Sequence, residues 1–295
     1  MLFKTKLVWL FSLWFIISLS FPASSLASSD QAQIINQNIN VLKSPSSAST
    51  DRQEAVQRLV KIGSAAVPAL IKALQDNNSM VRLDAVMALR AIGPGTKEAV
   101  PGLLKELQDK NSRVRGNAAE ALAVIGPWAK EAVPDLIKAL EDGNSDVRQG
   151  AAVALGRIGP EAKEAVPHLI KALQQDNYEV RVDAAWALGQ LGQAAPEAVP
   201  ALIQALKSSN NDVRKNAAAA LGAIGPGAKD AVTPLVNRLE QDKNFDVRLN
   251  TVVALGKIGP AAKEAVPALT ALQDGNPDIR EEAAWALKRI NPATQ

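Results

Sequence analysis

The 295-residue chain contains no cysteine, which excludes a disulfide framework, a thiolate metal site, a thiol nucleophile and a lipid-modified cysteine. Histidine is almost as scarce. His168 stands alone, too little for a multi-histidine metal site or for most triad chemistry. Charge of one sign is lacking too: the formal net charge is +3, and Lys4 and Lys6 supply two of those charges. What remains is close to neutral and has no basic excess to attract nucleic acid. Aromatic residues make up 4% of the chain, and beyond residue 27 only Trp128, Tyr178, Trp186, Phe245 and Trp285 remain. A core must therefore be built from Ala, Leu, Val and Ile. No alternating apolar and polar run of strand length appears. With 47% hydrophobic and 21% charged residues the chain is still an ordinary folded protein by composition.

The first residues stand apart from the rest. A basic start, Met1 to Lys6, precedes an apolar run from Leu7 to Phe21, which Pro22 ends before the small-residue site Ser25-Leu26-Ala27. This is the three-part pattern of a secretory signal peptide. It predicts cleavage near Ala27 and a mature chain in a periplasm, a thylakoid lumen or the medium. An uncleaved anchor is the rival reading, but the run is short against the ~20 residues needed to span a bilayer. No later segment approaches that length, so no integral span is expected in the mature chain.

Beyond residue 27 the chain repeats itself. Ala-Val-Pro recurs with its proline at Pro68, Pro101, Pro134, Pro167 and Pro200, a period of 33, and Pro234 and Pro267 continue the series after one slip. A second marker, Val-Arg or Ile-Arg, falls at Arg82, Arg115, Arg148, Arg181, Arg214, Arg248 and Arg280. A degraded unit precedes these, and the length accommodates about eight units at that period. Each unit reads as two helices. The first runs, for example, from Lys97 to Gln108 and the second from Ser112 to Ile125. An Asn four residues before each marker arginine (Asn78, Asn111, Asn144, Asn177, Asn210, Asn244, Asn276) suits an N-cap, and the Gly that closes each second helix, usually followed by Pro, is a stop signal. One helix pair has half a core and must stack on neighbours. The pattern therefore predicts an all-α, right-handed α-solenoid with second helices lining its concave side. Its parts are a signal peptide over residues 1–27, a capping segment over 28–49, the repeats over 50–291 and a tail over 292–295.

The string Val-Arg-x-x-Ala-Ala-x-Ala-Leu-Gly-x-Ile-Gly stands here as Val147 to Gly159 and, with Leu for Ile, as Val180 to Gly192. It resembles the HEAT-like repeat family first recognised in phycobilisome lyase subunits. The resemblance implies an α-superhelix and a choice among protein-binding scaffolds, bilin lyase subunits and deoxyhypusine hydroxylases. The iron-binding His-Glu pairs of the hydroxylases have no counterpart here. The basic concave surface of the related alkylpurine DNA glycosylases is missing as well.

Several residue series are candidate sites. The marker arginines could form a ligand-binding row, but Asp76, Asp109, Asp142, Asp242 and Asp274, six residues before them, point to an internal Arg–Asp ladder tying adjacent repeats. Gln175 and Ser208 interrupt that series. The acids Asp146, Glu179, Asp212, Asp246 and Asp278 sit in first turns, where the helix dipole favours them. His168 and Trp128 read as surface positions. The second helices are more informative. At 100° per residue, Val180, Ala184, Ala187, Leu188 and Leu191 share the core face, whereas Trp186 and Trp285 fall nearly opposite, with Tyr178 and Phe245 on the same outward side. The equivalents of Trp186 vary (Met87, Glu120, Val153, Ala219, Val253), and the neighbouring outward positions hold Leu83, Val182, Lys215 and Leu249.

Met87, Val153, Tyr178, Val182, Trp186, Phe245, Leu249, Val253 and Trp285 are accordingly the candidate partner-binding residues, since exposed aromatic and apolar side chains anchor interfaces. A second reading stays open, in which the tryptophans only fill space against a neighbouring helix. The sequence thus points to an exported, non-enzymatic, monomeric scaffold holding a protein or peptide on its concave face. No catalytic, cofactor or metal site and no nucleic-acid partner are expected. The alternative is a bilin lyase-type enzyme or accessory subunit that attaches a chromophore to a phycobiliprotein.

Overall fold

A computed structural model describes residues 28–272 and 276–291; the expected signal peptide and C-terminal tail lie outside them. The described residues form sixteen α-helices and no strand. They pair as α1 (Ser28–Lys43) with α2 (Ser49–Ile62), α3 (Val67–Ala73) with α4 (Ser79–Ile92), α5 (Val100–Glu106) with α6 (Ser112–Ile125), and α7 (Val133–Ala139) with α8 (Ser145–Ile158). The series continues with α9 (Val166–Gln175) and α10 (Tyr178–Leu191), α11 (Val199–Ala205) and α12 (Asn211–Ile224), α13 (Val232–Gln241) and α14 (Phe245–Ile258), and α15 (Val266–Thr270) and α16 (Pro277–Ile290).

Each boundary has a local cause. The Asn side chains accept backbone N–H groups of the first turn, as Asn144 Oδ1 does from Asp146 at 2.9 Å and Val147 at 3.2 Å. The second helices α2 to α14 end where the following glycine takes a conformation with φ positive and ψ strongly negative, as at Gly126 (φ 64°, ψ −132°), a region open essentially to glycine. The first helices begin later than the sequence pattern suggests. A 3₁₀ segment over Pro94–Ala99 precedes α5, and the non-helical Thr96 (φ −108°, ψ 23°) separates its turns. Pro101 then lies in the opening turn of α5, where the missing N–H costs little.

Successive second helices lie against each other along their lengths, while successive first helices touch at few points. Closely packed inner helices and splayed outer ones curve the stack, so the second helices line the concave side. Small residues permit the close approach: a Cβ at Gly222 would sit 2.8 Å from the Ala254 Cα. Leu89, Leu122, Leu155, Leu188, Leu221 and Leu255, one in each second helix from α4 to α14, are fully buried. Each contributes about 1.5–3 kcal/mol by leaving water. The predicted core face of α10 is buried throughout. Leu83 is the exception among the outward positions, being 1% exposed.

The Arg–Asp ladder runs between repeats. Arg115 Nε donates to Asp142 of the next unit at 2.7 Å, and its Nη1 donates at 2.8 Å to the carbonyl of Asp109, six residues before it. Arg82 reaches Asp109 at 2.6 Å, and Arg214 reaches Asp242 at 2.7 Å. The Arg115 guanidinium holds the Asp142 carboxyl below its usual range. Gln175 does not interrupt the series as expected, because α9 is longer than α7 and Asp176 takes the place, 2.7 Å from Arg148 Nε. Ser208 does interrupt it.

Candidate functional site

The concave face carries a groove of about 950 Å³, within the usual size of ligand pockets. Four second helices supply it: α6 with Glu120, Ala123 and Val124; α8 with Gln149, Gly150, Val153 and Arg157; α10 with Asp183 and Trp186; α12 with Asn216. Pro127 and Trp128 close one end from the loop after α6, beside Arg90 and Pro94. Trp128 is 67% exposed, and the Lys97 ammonium sits 5.5 Å from its ring centroid. The surface loop position thus belongs to the groove mouth.

Trp186 is half-buried. Its indole lies against Gly156 of α8, where any Cβ would collide with it, and the Arg157 guanidinium stands 5.4 Å from the ring centroid. Trp285 packs on Gly256 in the same way, but its cation, Arg289 at 5.4 Å, comes from its own helix α16. The variable position is therefore matched to the helix before it. Arg90 of α4 pairs with Glu120 in the same way. Each tryptophan packs on its neighbour with one part of its surface and leaves another part open.

Of the nine candidate residues, Val153 and Trp186 line the groove. Met87 and Tyr178 project into solvent at 42% and 51% exposure, and the Tyr178 hydroxyl lies 3.3 Å from Ser209 Oγ. Val182, Phe245, Leu249, Val253 and Trp285 are half-buried on the same helical side, away from the groove. The first-turn acids Asp146, Glu179, Asp212, Asp246 and Asp278 are exposed. His168 is half-buried on α9, beside a shallow cleft with Glu141 and Lys171. No group of acids and histidines suited to a metal ion occurs among the described residues. No helix among them is long and apolar enough to cross a membrane.

Asp183 is the residue that helical periodicity alone does not single out. Desolvation raises its carboxyl above the ordinary aspartate range, and a hydrogen bond with the Gln149 side chain opposes the shift. The signal was available in register: Asp183 stands five residues into α10, where α6, α8 and α12 carry Asn117, Gly150 and Asn216. Those neighbours are uncharged. The groove can hold an elongated ligand by apolar contact with Trp186, Val153, Val124 and Trp128, with Gln149, Asp183 and Asn216 toward one end and the Arg90–Glu120 pair toward the other.

No curated protein matches the chain. Among solved structures, one engineered protein is similar over 87% of this chain and 78% of its own, with 27% identity and a TM-score of 0.63. A second engineered protein, also 27% identical, covers 77% of this chain and 96% of its own at a TM-score of 0.51. The karyopherin Kap121p bound to the SUMO protease Ulp1p superposes on 90% of the chain at 18% identity and a TM-score of 0.66, and the match takes in 34% of the karyopherin. That likeness shows the fold. The model for HEAT repeats matches residues 35–123, 100–181, 166–243 and 232–295. Helix pairs, period and concave packing agree with that match, and the chain belongs to the HEAT-repeat family.

Proposed function

We propose that the chain is an exported, non-enzymatic scaffold that holds a segment of another protein in the groove across α6, α8, α10 and α12. The observation that carries this reading is the lining of the groove. Two tryptophans and two valines form open apolar surface there, on a fold whose rigid frame holds them in place. Solenoids of this architecture engage proteins, as Kap121p does in its complexes with Ulp1p and Nup53p. Export rests on Lys4, Lys6, the apolar run to Phe21 and Ser25-Leu26-Ala27. The repeat strings at Val147 and Val180 support a finer placement beside the phycobilisome-lyase HEAT-like proteins. On that placement, bilin transfer by the purified protein would replace the scaffold reading with a lyase.

A photo-crosslinking amino acid at Val153, compared with one at Lys138 on the outer helix α7, tests the groove in the producing cell. Protein adducts should form from position 153 and be absent from position 138. Equal labelling from both positions, or none from either, would overturn the reading. The export component predicts a mature N-terminus at Ser28, read by N-terminal sequencing; an intact Met1 in a cytosolic fraction would overturn it.

A further inference from the structure

The groove has a chemical bias that its apolar lining does not explain, and the bias sits at Asp183. Residues five positions into each second helix form a row across the concave side. Two of the acids in that row have opposite surroundings. Asp84 in α4 receives the Arg52 guanidinium, Nε to Oδ2 at 2.9 Å. Asp183 in α10 has the neutral Gln149 as its hydrogen-bond partner and no cation among its charge interactions. The other cations of the groove are committed elsewhere. Arg90 is paired with Glu120, and Arg157 stands over the Trp186 ring. A partly desolvated carboxylate without a cation is costly, and a cation brought by a ligand removes that cost.

Resting on the scaffold reading above, we propose that the groove takes an extended basic peptide. A lysine or arginine of the partner segment pairs with Asp183 while its alkyl stem lies along Trp186. The geometry suits that side chain. Asp183 and Trp186 are three residues apart on α10, so carboxylate and indole share one face. Lys and Arg side chains bury an apolar stem while presenting a charged head. The extended form follows from the span: the lining crosses four neighbouring helices about 9 Å apart. At about 3.3 Å per residue, roughly eight extended residues cover that distance.

The test uses the full chain and fluorescein-labelled octapeptide sub-libraries, degenerate except for one position fixed as Lys, Arg, Leu or Glu. At one position, Lys or Arg should bind about tenfold more tightly than Leu or Glu, the scale of one charge-assisted pair. Asp183→Asn should erase that difference while leaving apolar preferences elsewhere, and Asp183→Lys should turn it toward Glu. Gln149→Glu, which replaces the hydrogen-bond partner of Asp183 with a second carboxylate and leaves residue 183 itself unchanged, should strengthen the basic preference even if the Asp183 variants fold poorly. A wild-type groove with no basic preference, or one that survives both Asp183 variants, would overturn the inference. Peptide binding without that preference leaves the scaffold reading standing; no binding by any sub-library removes both.

Discussion

Two adjacent junctions of the solenoid differ in their loop contacts. Between the α7–α8 and α9–α10 units, Arg148 makes a two-pronged contact with Asp176, at 2.7 and 2.6 Å, and also binds the Asp142 carbonyl. Between the α9–α10 and α11–α12 units, the place of the acid is taken by Ser208. Arg181 Nε there donates to the carbonyl of Leu173 at 3.0 Å, and the loops meet through Tyr178 and Ser209. The helices pack as closely at the second junction as at the first. The difference teaches that the apolar seam positions the repeats and the ladder tightens their loops. A solenoid whose stability is a sum of nearest-neighbour interfaces tolerates the loss of one rung.

Breaking the seam should therefore cost most, and equally at both junctions. Leu155→Ala and Leu188→Ala each remove a fully buried side chain. Each should lower unfolding free energy by about 2–5 kcal/mol, measured by urea denaturation. A much smaller loss at Leu188 would mean that the rungless junction is also loosely packed.

The next effect comes from a rung with one acid too many. Glu106 occupies a position that holds Ala139, Ala172 and Ala205 in later units, and it is 6% exposed beside Asp109 and Arg82. Burial and the neighbouring Asp109 carboxyl push its pKa from 4.5 up to about 7, against the pull of Arg82 and Lys105. The native state thus keeps a proton that the unfolded chain releases earlier. The contribution of this group is full below pH 4.5 and is lost as pH rises to about 7. Asp142, held low by Arg115, has the opposite sense and loses its contribution as pH falls. Glu106→Gln should stabilise the protein by about 1–3 kcal/mol at pH 8 and leave it unchanged at pH 4. Equal melting shifts at both pH values would show that Glu106 is not titrating in this range.

How much of this was legible in the sequence follows from what repeats. The asparagine caps, the glycine stops and the buried Leu of each second helix recur every 33 residues or so, and repetition made them readable from one chain. The ladder was visible as acids six residues before five of the seven arginines, but the acid each arginine pairs with lies one unit further on. Asp176 was missed because one extra turn of α9 shifts the acid by one place. The groove was half legible. Val153 and Trp186 stood out by helical angle, whereas Asp183 and Trp128 reach the same space from a different register and from a loop. That meeting depends on the curvature of the stack, which no single repeat encodes. The packing of Trp186 on Gly156 was readable only by comparing a position with the preceding unit.

Cutting the intact rung should have a smaller effect than the seam or the buried acid. Asp176→Ala leaves the Arg148 guanidinium partly buried without its carboxylate and should cost about 1–3 kcal/mol. Arg181→Ala, which removes no ion pair, should cost less than about 1 kcal/mol. Thermal melts of the two variants beside wild type check the contrast. Equal losses would mean that the backbone carbonyl contacts, shared by both arginines, supply the stabilisation.

The smallest expected effect is the most discriminating, because it builds the missing rung. Ser208→Asp places a carboxylate where Asp109, Asp142 and Asp242 stand in other units, and Arg181 already occupies the marker position. The local backbone is prepared for it. Asn210 N–H donates to Ser208 Oγ at 3.3 Å, the same contact that Asn144 N–H makes with Asp142 Oδ1 at 2.9 Å. Arg214 Nη1 also binds the Ser208 carbonyl at 2.8 Å, as its counterparts do in intact rungs. An Asp here keeps the hydrogen bond from Asn210 and gains a partly exposed ion pair with Arg181, worth about 0.5–1 kcal/mol. The melting temperature should rise by about 1–3 °C at low salt, and the gain should shrink in 1 M salt, where charges are screened beyond ~3 Å. In the Arg181→Ala background the same substitution should bring no gain, which isolates the pair in a double-mutant cycle. A gain that persists without Arg181 would assign the effect to the turn rather than to the ladder.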